Sequence, residues 1–183
     1  MIKIHIGCGP RNFGPEWIHI DGSTNYDHIQ YHDIINLPFQ DNSVSLIYAS
    51  HVIEYFDRSE FEIVLSKWYN KLVHNGVLRL AVPDFESMSF LYTNKNISLD
   101  KFLGPLYGKM TMGDSFIYHK TVYDFDSLKN MLSKLNYKDI KKYDWRCTEH
   151  KDIDDHSQAY IPHMDKSNGT LISLNVECKK YEL

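Results

Sequence analysis

Apolar and polar residues alternate from the start of the chain. Residues 2–6 read Ile-Lys-Ile-His-Ile, a period of two that is typical of a β-strand. The strand runs directly into Gly7, Cys8 and Gly9. Small residues at the carboxyl end of a strand let a ligand approach the backbone of an open α/β sheet. We therefore expect a ligand-binding loop immediately after the first strand.

Two more predicted strands each end in an aspartate. Residues 17–20 read Trp-Ile-His-Ile and lead into Asp21, and a brief third strand ends at Asp33. Residues 44–49 and 77–82 are apolar runs of strand length. Strand ends are rigid positions for polar side chains, so both aspartates are candidate ligand-binding residues.

Apolar residues at helical spacing predict two clear helices. The first begins after Asp57, which forms a capping-box pattern with Glu60, and it stops at Asn75-Gly76. The second is predicted to begin after a cap at Asp126.

The last part of the chain predicts two strands, near 139–143 and at 170–178, around a polar excursion at 144–169. Together with the earlier elements, this order predicts a Rossmann-like α/β fold. Its seven-stranded, mostly parallel sheet would end in a C-terminal antiparallel hairpin. A length of 183 residues is that of one domain. Its expected parts are a cofactor-binding half (1–84), a lid or substrate segment (85–125), and a helix plus hairpin (126–183) carrying the 144–169 loop.

Composition excludes several function classes. The net charge of −4 provides no basic field, so neither nucleic acid nor a membrane surface is an expected partner. The three cysteines are an odd set without CxxC spacing, which indicates free thiols in a reducing compartment. Neither a signal peptide nor a membrane span is apparent, so we expect a cytoplasmic protein.

The early connections are too short for crossover helices. Parallel strands are usually joined by a dozen or more residues that include a helix, but residues 7–16 form a loop broken by proline and glycine. The helices of one sheet face should therefore be reduced or absent, although a parallel sheet needs both faces covered. The 144–169 excursion or the partner of a homodimer would complete the cover. The expected local contributors are Phe13, Trp17, Tyr26, Ile29 and Tyr31.

Several motifs, in order, carry a family resemblance. They are Ile-Gly-Cys-Gly-Pro from residue 6, Trp-Ile-His-Ile-Asp from 17, Asp-Ile-x-x-Leu-Pro-Phe-x-Asp-Asn-Ser-Val from 33, Ile-Tyr-Ala-Ser-His-Val-Ile-Glu from 47, and Gly-Val-Leu-Arg-Leu-Ala-Val-Pro-Asp from 76. This series resembles the class I S-adenosylmethionine-dependent methyltransferases, and within them the small type 11 group. The resemblance covers residues 1–90 well and the remainder weakly.

The resemblance implies S-adenosylmethionine as the cofactor and a set of binding residues at predicted strand ends. The implied set is Gly7, Cys8 and Gly9 under the methionine half, Asp21 and Gly22 at the ribose, Asp33 and Ile34 at the adenine, and Ser50 and His51 at the sulfonium side. Chemistry supports Asp21, because one carboxylate can accept both hydrogen bonds of a cis-diol. A turn residue or a helix cap is the structural alternative for each aspartate.

Two positions depart from the family pattern. Arg11 stands where the third glycine of the usual Gly-x-Gly-x-Gly would be, and Glu54-Tyr55 replaces the usual Glu-His. Both changes bear on the shape of the loops around the cofactor.

Methyl transfer is an in-line displacement that depends on positioning, and an oxygen or nitrogen acceptor can also need a base. The candidate catalytic residues are His51 and His119, with Asp84 at the end of the fifth strand to orient either one. An ordinary polar surface role is the alternative for each histidine.

The excursion at 144–169 is rich in histidine and aspartate, which are ligand types for a divalent cation. Its spacing matches no metal motif, so we interpret it as a solvated loop and assign no metal site; the alternative is an Mg²⁺ or similar ion that orients a substrate diol.

The predicted function is methyl transfer to a small-molecule or sugar acceptor. One alternative is a non-catalytic domain that binds S-adenosylmethionine or acts as a scaffold, and Asp21 and Asp33 argue against it. The other is a nucleotide-dependent oxidoreductase. A pyrophosphate site uses the helix after the glycine loop, for which there is little room, and Asn12 replaces the third fingerprint glycine.

Overall fold

The computed structural model describes residues 1–23 and 25–181; the domain boundaries expected above include Thr24, Glu182 and Leu183, which lie outside this range. The strands are β1 (Ile2–Ile6), β2 (Trp17–Ile20), β3 (Ile29–Tyr31), β4 (Val44–Ser50), β5 (Leu72–Pro83), β6 (Met110–Met112), β7 (Ser115–Ile117), β8 (Tyr137–Lys142), β9 (Tyr160–Ile161), β10 (Thr170–Leu171) and β11 (Ser173–Lys180). The helices are α1 (Arg58–Lys71), α2 (Phe85–Lys95), α3 (Asp100–Tyr107) and α4 (Phe125–Lys134).

Seven strands form the main sheet in the order β3-β2-β1-β4-β5-β11-β8. The first five are parallel to their neighbours, and β11 runs antiparallel to both β5 and β8. The predicted Rossmann-like α/β fold with its C-terminal antiparallel strands is confirmed. In the register, Ile6 pairs with Ile20 on one side and with Ala49 on the other. The loops that follow β1, β2 and β4 therefore meet at one edge of the sheet.

One face of the sheet is covered by α1 and α4. Their apolar sides supply Phe61, Leu65 and Trp68 from α1 and Leu128 and Leu132 from α4, all without solvent exposure. Each such side chain contributes about 1.5–3 kcal/mol by burial. This layer fixes the orientation of the strands whose ends carry the site.

The opposite face lacks helices early in the chain, as expected: no helix occurs among the described residues between β1 and β4. The ring of Phe13 instead lies between the imidazoles of His5 and His150, at centroid distances of 3.9 and 4.4 Å. The Tyr48 hydroxyl donates a hydrogen bond to Asp155. The 144–169 excursion thus covers this face.

Trp17, which is 4% exposed, packs with Phe13 on this face as expected, whereas the two tyrosines expected there are less involved. Tyr26 and Tyr31 are each 39% exposed. Tyr31 contacts Phe39, which packs against the core on the α1 and α4 side of the sheet.

Two predicted helix boundaries were wrong. Helix α1 ends at Lys71 and not at Asn75-Gly76, because Leu72 is already extended and pairs with Val44 as the first residue of β5. Helix α4 is capped by Asp124 and not by Asp126: Asp124 has extended backbone geometry and accepts a hydrogen bond from the Ser127 amide at 2.8 Å.

The segment at 85–125 contains α2, α3 and the hairpin β6–β7. Met88, Leu91 and Phe102 of the two helices form a small core with Ile172. None of the helices in the described ranges has the length and apolar character needed to cross a membrane.

Candidate functional site

A cavity of about 1280 Å³ opens at the edge of the sheet where the strand ends meet. Its walls come mainly from three parts of the chain: the loops after β1, β2, β3 and β4, the segment at 96–119, and the segment at 154–164. The residues that line the cavity include Gly7, Gly9, Arg11, Asp21, Ile34, Ser50, His51, His119 and His156.

The two glycines of the first loop have different functions. Both have positive φ angles, +67° at Gly7 and +52° at Gly9. A Cβ at Gly7 would lie 2.2 Å from Cγ2 of Val52, whereas a Cβ at Gly9 would meet nothing within 4 Å. The expectation that glycine keeps a ligand close to the backbone therefore fits Gly9, where the space is open. At Gly7 the constraint is packing against Val52.

Cys8 lies between these glycines, and its side chain is fully buried. Its Sγ lies 3.9 Å from Nε2 of His28, and it is not part of the cavity wall. Burial, and secondarily the nearby Asp21, raises the pKa of the Cys8 thiol to about 12. Any contact of Cys8 with the cofactor would therefore use its backbone.

Asp21 joins the ends of the first two strands. Its Oδ2 accepts a hydrogen bond from the Gly9 amide at 2.8 Å, and its Oδ1 accepts one from the Ser23 amide at 2.7 Å. Asp21 and the adjacent Gly22 both line the cavity. The carboxylate is thus held at a fixed position facing the space where a diol could bind.

Asp33 is held by its own turn. Its carboxylate accepts hydrogen bonds from the backbone amides of Ile35 and Asn36, both at 2.8 Å, and from the Asn36 side chain at 2.9 Å. These bonds, the Asn36 amide first, lower the pKa of Asp33. Ile34 lines the cavity but Asp33 does not, so a contact between Asp33 and an adenine amino group stays a prediction.

Ser50 is the last residue of β4, His51 follows it, and both line the cavity. The Oγ of Ser50 and the Nε2 of His51 are buried and have no hydrogen-bond partner among the described residues. His51 has a φ of +54°, which is uncommon for a residue with a Cβ and often marks a functional position. Burial, and then the nearby His156, His119 and Arg11, keep the pKa of His51 well below its usual value.

Glu54 lies directly behind these residues and was not predicted as a site residue. It has no solvent exposure, and neither carboxyl oxygen has a hydrogen-bond partner among the described residues. Its Oε1 is 3.2 Å from Nδ1 of His51 and 3.8 Å from Nε2 of His119. The atoms are close enough for an ionic contact, but their directions are not those of hydrogen bonds. Burial raises the pKa of Glu54 to about 8.

The contacts of His119 determine its tautomer. Its Nδ1 lies 2.9 Å from the carbonyl oxygen of Pro105, which can only accept, so Nδ1 carries the proton. Burial lowers the pKa of His119, which keeps the ring neutral, and Nε2 then presents a lone pair to Glu54. A lone pair facing a carboxyl oxygen favours the protonated form of Glu54.

His119 is held in place by its neighbours. A Cβ at Gly108, whose φ is +62°, would lie 2.6 Å from the His119 ring, so this close approach requires glycine. Because both His119 nitrogens face protein groups, the geometry favours a positioning function over direct contact with an acceptor.

The side-chain partners of Asp84 are residues of α2 and not the two histidines. Its carboxylate accepts hydrogen bonds from the amides of Glu86 and Ser87 and from the Ser87 hydroxyl, which makes it the N-cap of α2. It is 6% exposed and is not part of the cavity wall. The carboxyl group that contacts the histidines is that of Glu54.

The 154–164 segment adds residues that sequence reasoning missed. Arg11 lines the cavity and donates from Nε to the carbonyl oxygen of Asp154 at 3.0 Å. The rings of His156 and His51 lie 5.0 Å apart. In the sequence, Arg11 could have been recognised as a cavity residue because it replaces a glycine of the family pattern. No spacing in the sequence connects His156 with His51, so their proximity could not have been predicted.

Two aspartates of the excursion have structural partners. Asp155 accepts hydrogen bonds from Tyr48 and Ser157, and Asp154 pairs with Lys166 at 2.6 Å. Within residues 1–23 and 25–181, no group of three or more histidine, cysteine, aspartate or glutamate side chains has the arrangement of a metal site.

Residues 15–80 match the sequence profile of a family described as a methyltransferase domain, of the type 11 group. The match spans less than half of the chain, which over these residues resembles that methyltransferase family. Its enzyme class is methyl transfer, and its cofactor is S-adenosylmethionine. A search of curated protein sequences finds no significant match.

Solved structures of methyltransferases share the fold at low sequence identity. An S-adenosylmethionine-dependent methyltransferase from Archaeoglobus fulgidus is 16% identical with a TM-score of 0.56, over 98% of this chain and 86% of that one. A Haloferax volcanii methyltransferase, in complex with the Trm112 activator, is 15% identical with a TM-score of 0.55, over 99% and 83%. The 1,6-didemethyltoxoflavin-N1-methyltransferase of Burkholderia thailandensis, with bound S-adenosylhomocysteine, is 8% identical with a TM-score of 0.55, over 99% and 71%.

The cavity of this methyltransferase fits the cofactor. Open space lies beside Gly9 where a Cβ would project, and Asp21 presents a carboxylate at the end of β2. Ser50 adds a buried hydroxyl oxygen that has no hydrogen-bond partner among the described residues. These features suit a ligand that is polar at the ribose and at the methionine end.

Proposed function

We propose that the enzyme methylates a small-molecule or sugar acceptor, that the loops after β1, β2 and β4 hold S-adenosylmethionine, and that His51 is the base. The observation that carries the proposal is the single cavity that connects Gly9 and Asp21 with His51 and the segment at 96–119. A cofactor on the strand ends and an acceptor against that segment would share this space.

Asp21 would hold the ribose hydroxyls, because its two oxygens are fixed by backbone amides at the strand ends. Ile34 would contact the adenine, and Gly9 would leave room for the methionine half. The cofactor supplies an electrophilic methyl group on a positively charged sulfur. The contribution of the protein is to hold the two reactants in line, which accounts for much of the rate in such displacements.

His51 would accept the acceptor's proton. Its depressed pKa keeps the imidazole neutral at pH 7, which a base requires. It stands at the carboxyl end of β4 next to Ser50, the position that the family resemblance assigns to the sulfonium side. Glu54 contacts the ring from behind, and His119 in turn contacts Glu54.

The size and walls of the cavity support a small acceptor. Small-molecule sites typically enclose about 300–1,000 Å³. At about 1280 Å³, this cavity has room for the cofactor and a small second ligand. The walls beyond the strand ends include Asn96, Ser98, Lys101 and His163, whose polar groups suit an acceptor with hydroxyl or amino groups.

Calorimetric titration with S-adenosylmethionine, S-adenosylhomocysteine and NAD tests the cofactor site. We expect both sulfur ligands to bind and NAD not to bind. Asp21→Asn should weaken both by at least roughly 10-fold, because each ribose hydrogen bond to a charged group contributes about 1.5–3 kcal/mol. Asp27→Ala removes an exposed aspartate nearby that is not part of the cavity wall and should bind like the wild type.

Other outcomes would favour the alternatives. A folded protein that binds neither sulfur ligand contradicts the proposal and favours a scaffold. Binding of NAD would favour a nucleotide-dependent oxidoreductase. Screening of amine, carboxylate and sugar acceptors with the cofactor-binding protein then identifies the substrate.

The cellular location is also a proposal. The three cysteines are free thiols. Free thiols are typical of a reducing compartment, which supports a cytoplasmic enzyme.

A further inference from the structure

Glu54 differs from the other carboxyl groups near the cavity. Asp21 accepts two amide hydrogen bonds, Asp154 pairs with Lys166, and Asp155 accepts from Tyr48 and Ser157. Both oxygens of Glu54, by contrast, are buried and have no hydrogen-bond partner among the described residues.

The groups that face Glu54 come from several elements. His51 follows β4, His119 follows β7, and Tyr55 and Tyr123 lie nearby, where burial first and then Glu54 raise the pKa of both hydroxyls. None of these four is a permanent positive charge. His51 is faced in turn by His156 and by the guanidinium of Arg11.

We propose that Glu54 is a proton-exchanging counter-charge for the cationic cofactor: it releases its proton when S-adenosylmethionine binds and recovers one, through His51, during methyl transfer. This inference rests on the proposed function, because it requires the sulfonium to bind on the His51 side of the cavity. It adds a positioning residue that acts on the base from behind.

The charge state of Glu54 determines which nitrogen of His51 can act as a base. A protonated Glu54 can donate to Nδ1 of His51 across the 3.2 Å contact, and the neutral imidazole then carries its own hydrogen on Nε2. When Glu54 is ionised, Nδ1 donates to the carboxylate and Nε2 has the free lone pair. A nearby positive charge favours the ionised carboxylate. Cofactor binding would therefore produce the tautomer of His51 that accepts a proton.

The transfer step then balances. The acceptor's O–H or N–H bond breaks, and its electron pair forms the bond to the methyl carbon. The bond between methyl and sulfur breaks, and that pair stays on sulfur. The proton goes to Nε2 of His51, and the proton on Nδ1 passes to Glu54. An ion pair of carboxylate and sulfonium becomes a neutral carboxylic acid and a neutral thioether.

Calorimetry in buffers of different ionisation enthalpy measures the protons released on binding. At pH 7 we expect S-adenosylmethionine to release roughly half to one proton more than S-adenosylhomocysteine, because only the former carries the sulfonium charge. Glu54→Gln should still bind S-adenosylmethionine and should lose that difference. Glu62→Gln removes an exposed carboxylate from α1 and should behave like the wild type.

A second measurement does not depend on a variant. In the infrared difference spectrum of the wild type, S-adenosylmethionine should remove a carboxylic-acid C=O band that S-adenosylhomocysteine leaves in place. The inference would be overturned if the wild type and Glu54→Gln showed the same difference in proton release between the two ligands, or if the carboxylic-acid band did not change. Either result would leave the proposed function intact. If neither sulfur ligand binds the wild type, the proposed function itself fails.

Discussion

Glu54 also affects stability at the scale of a single residue. Its folded-state pKa of about 8 lies above the ordinary value of 4.5. As pH rises from 4.5 to 8, the unfolded chain loses this proton before the folded protein does, so the free energy of unfolding falls across that window. Burying this carboxyl group therefore destabilises the fold most at alkaline pH. Such energetic costs are common at functional sites.

Glu54→Gln should remove this pH dependence. We expect the variant to gain stability relative to the wild type as pH rises from 5 to 8, by an amount on the order of a few kcal/mol. Urea unfolding at several pH values measures it, with Glu62→Gln as the control. Parallel stability curves for wild type and Glu54→Gln would show that Glu54 is ionised in the folded protein.

The candidate site residues that directly follow a strand were the ones accessible from the sequence. Gly9, Asp21 and His51 each come within a few residues of an apolar run, and the structure places all three on the cavity wall. Glu54 could not be found in this way, because its function depends on contact with His119, far along the chain. Asp84 has the same sequence context as Asp21, yet the adjacent helix uses its carboxylate as a cap.

At the scale of elements, the start of α4 offers a direct test of capping. Asp124 and Ser127 satisfy each other's backbone amides, whereas Asp126 lies in the first turn. Asp124→Ala should destabilise the protein by about 1 kcal/mol because it leaves first-turn amides without a partner. Asp126→Ala should cost less, about 0.3–1 kcal/mol, through the helix dipole alone. Chemical denaturation compares the two, and a larger loss for Asp126→Ala would contradict the capping geometry.

Element types were easier to predict than their ends. Apolar periodicity identified β1, β2, β4, β5 and β11 because burial on the sheet imposes it. The ends of α1 and α4 were misplaced because aspartate, asparagine and glycine suit several neighbouring positions, and tertiary pairing decides among them. Leu72 leaves the helix because it pairs with Val44 in the sheet.

At the scale of the whole molecule, the short connections after β1 and β2 correctly predicted a sheet face without crossover helices. They did not reveal whether the excursion or a second subunit covers it. The stack of His5, Phe13 and His150 shows that the chain covers this face itself. Such a contact between distant segments leaves no local pattern in the sequence.

The predicted homodimer depended on that face being uncovered. Since the 144–169 segment packs there, a second subunit is not needed to bury it. We expect light scattering at high protein concentration to give the mass of one chain. A stable dimer mass would contradict this expectation and would require an interface elsewhere on the molecule.

The cover supplied by the 144–169 segment also has a consequence for folding during synthesis. The contacts of Arg11 with Asp154 and of Tyr48 with Asp155 join residues 143 and 107 positions apart. Contacts this distant in sequence are slow to form, because a long loop must close before they can contribute. The first strands therefore leave the ribosome with Phe13 and Trp17 uncovered. The cofactor cavity is the part of the molecule that we expect to close last.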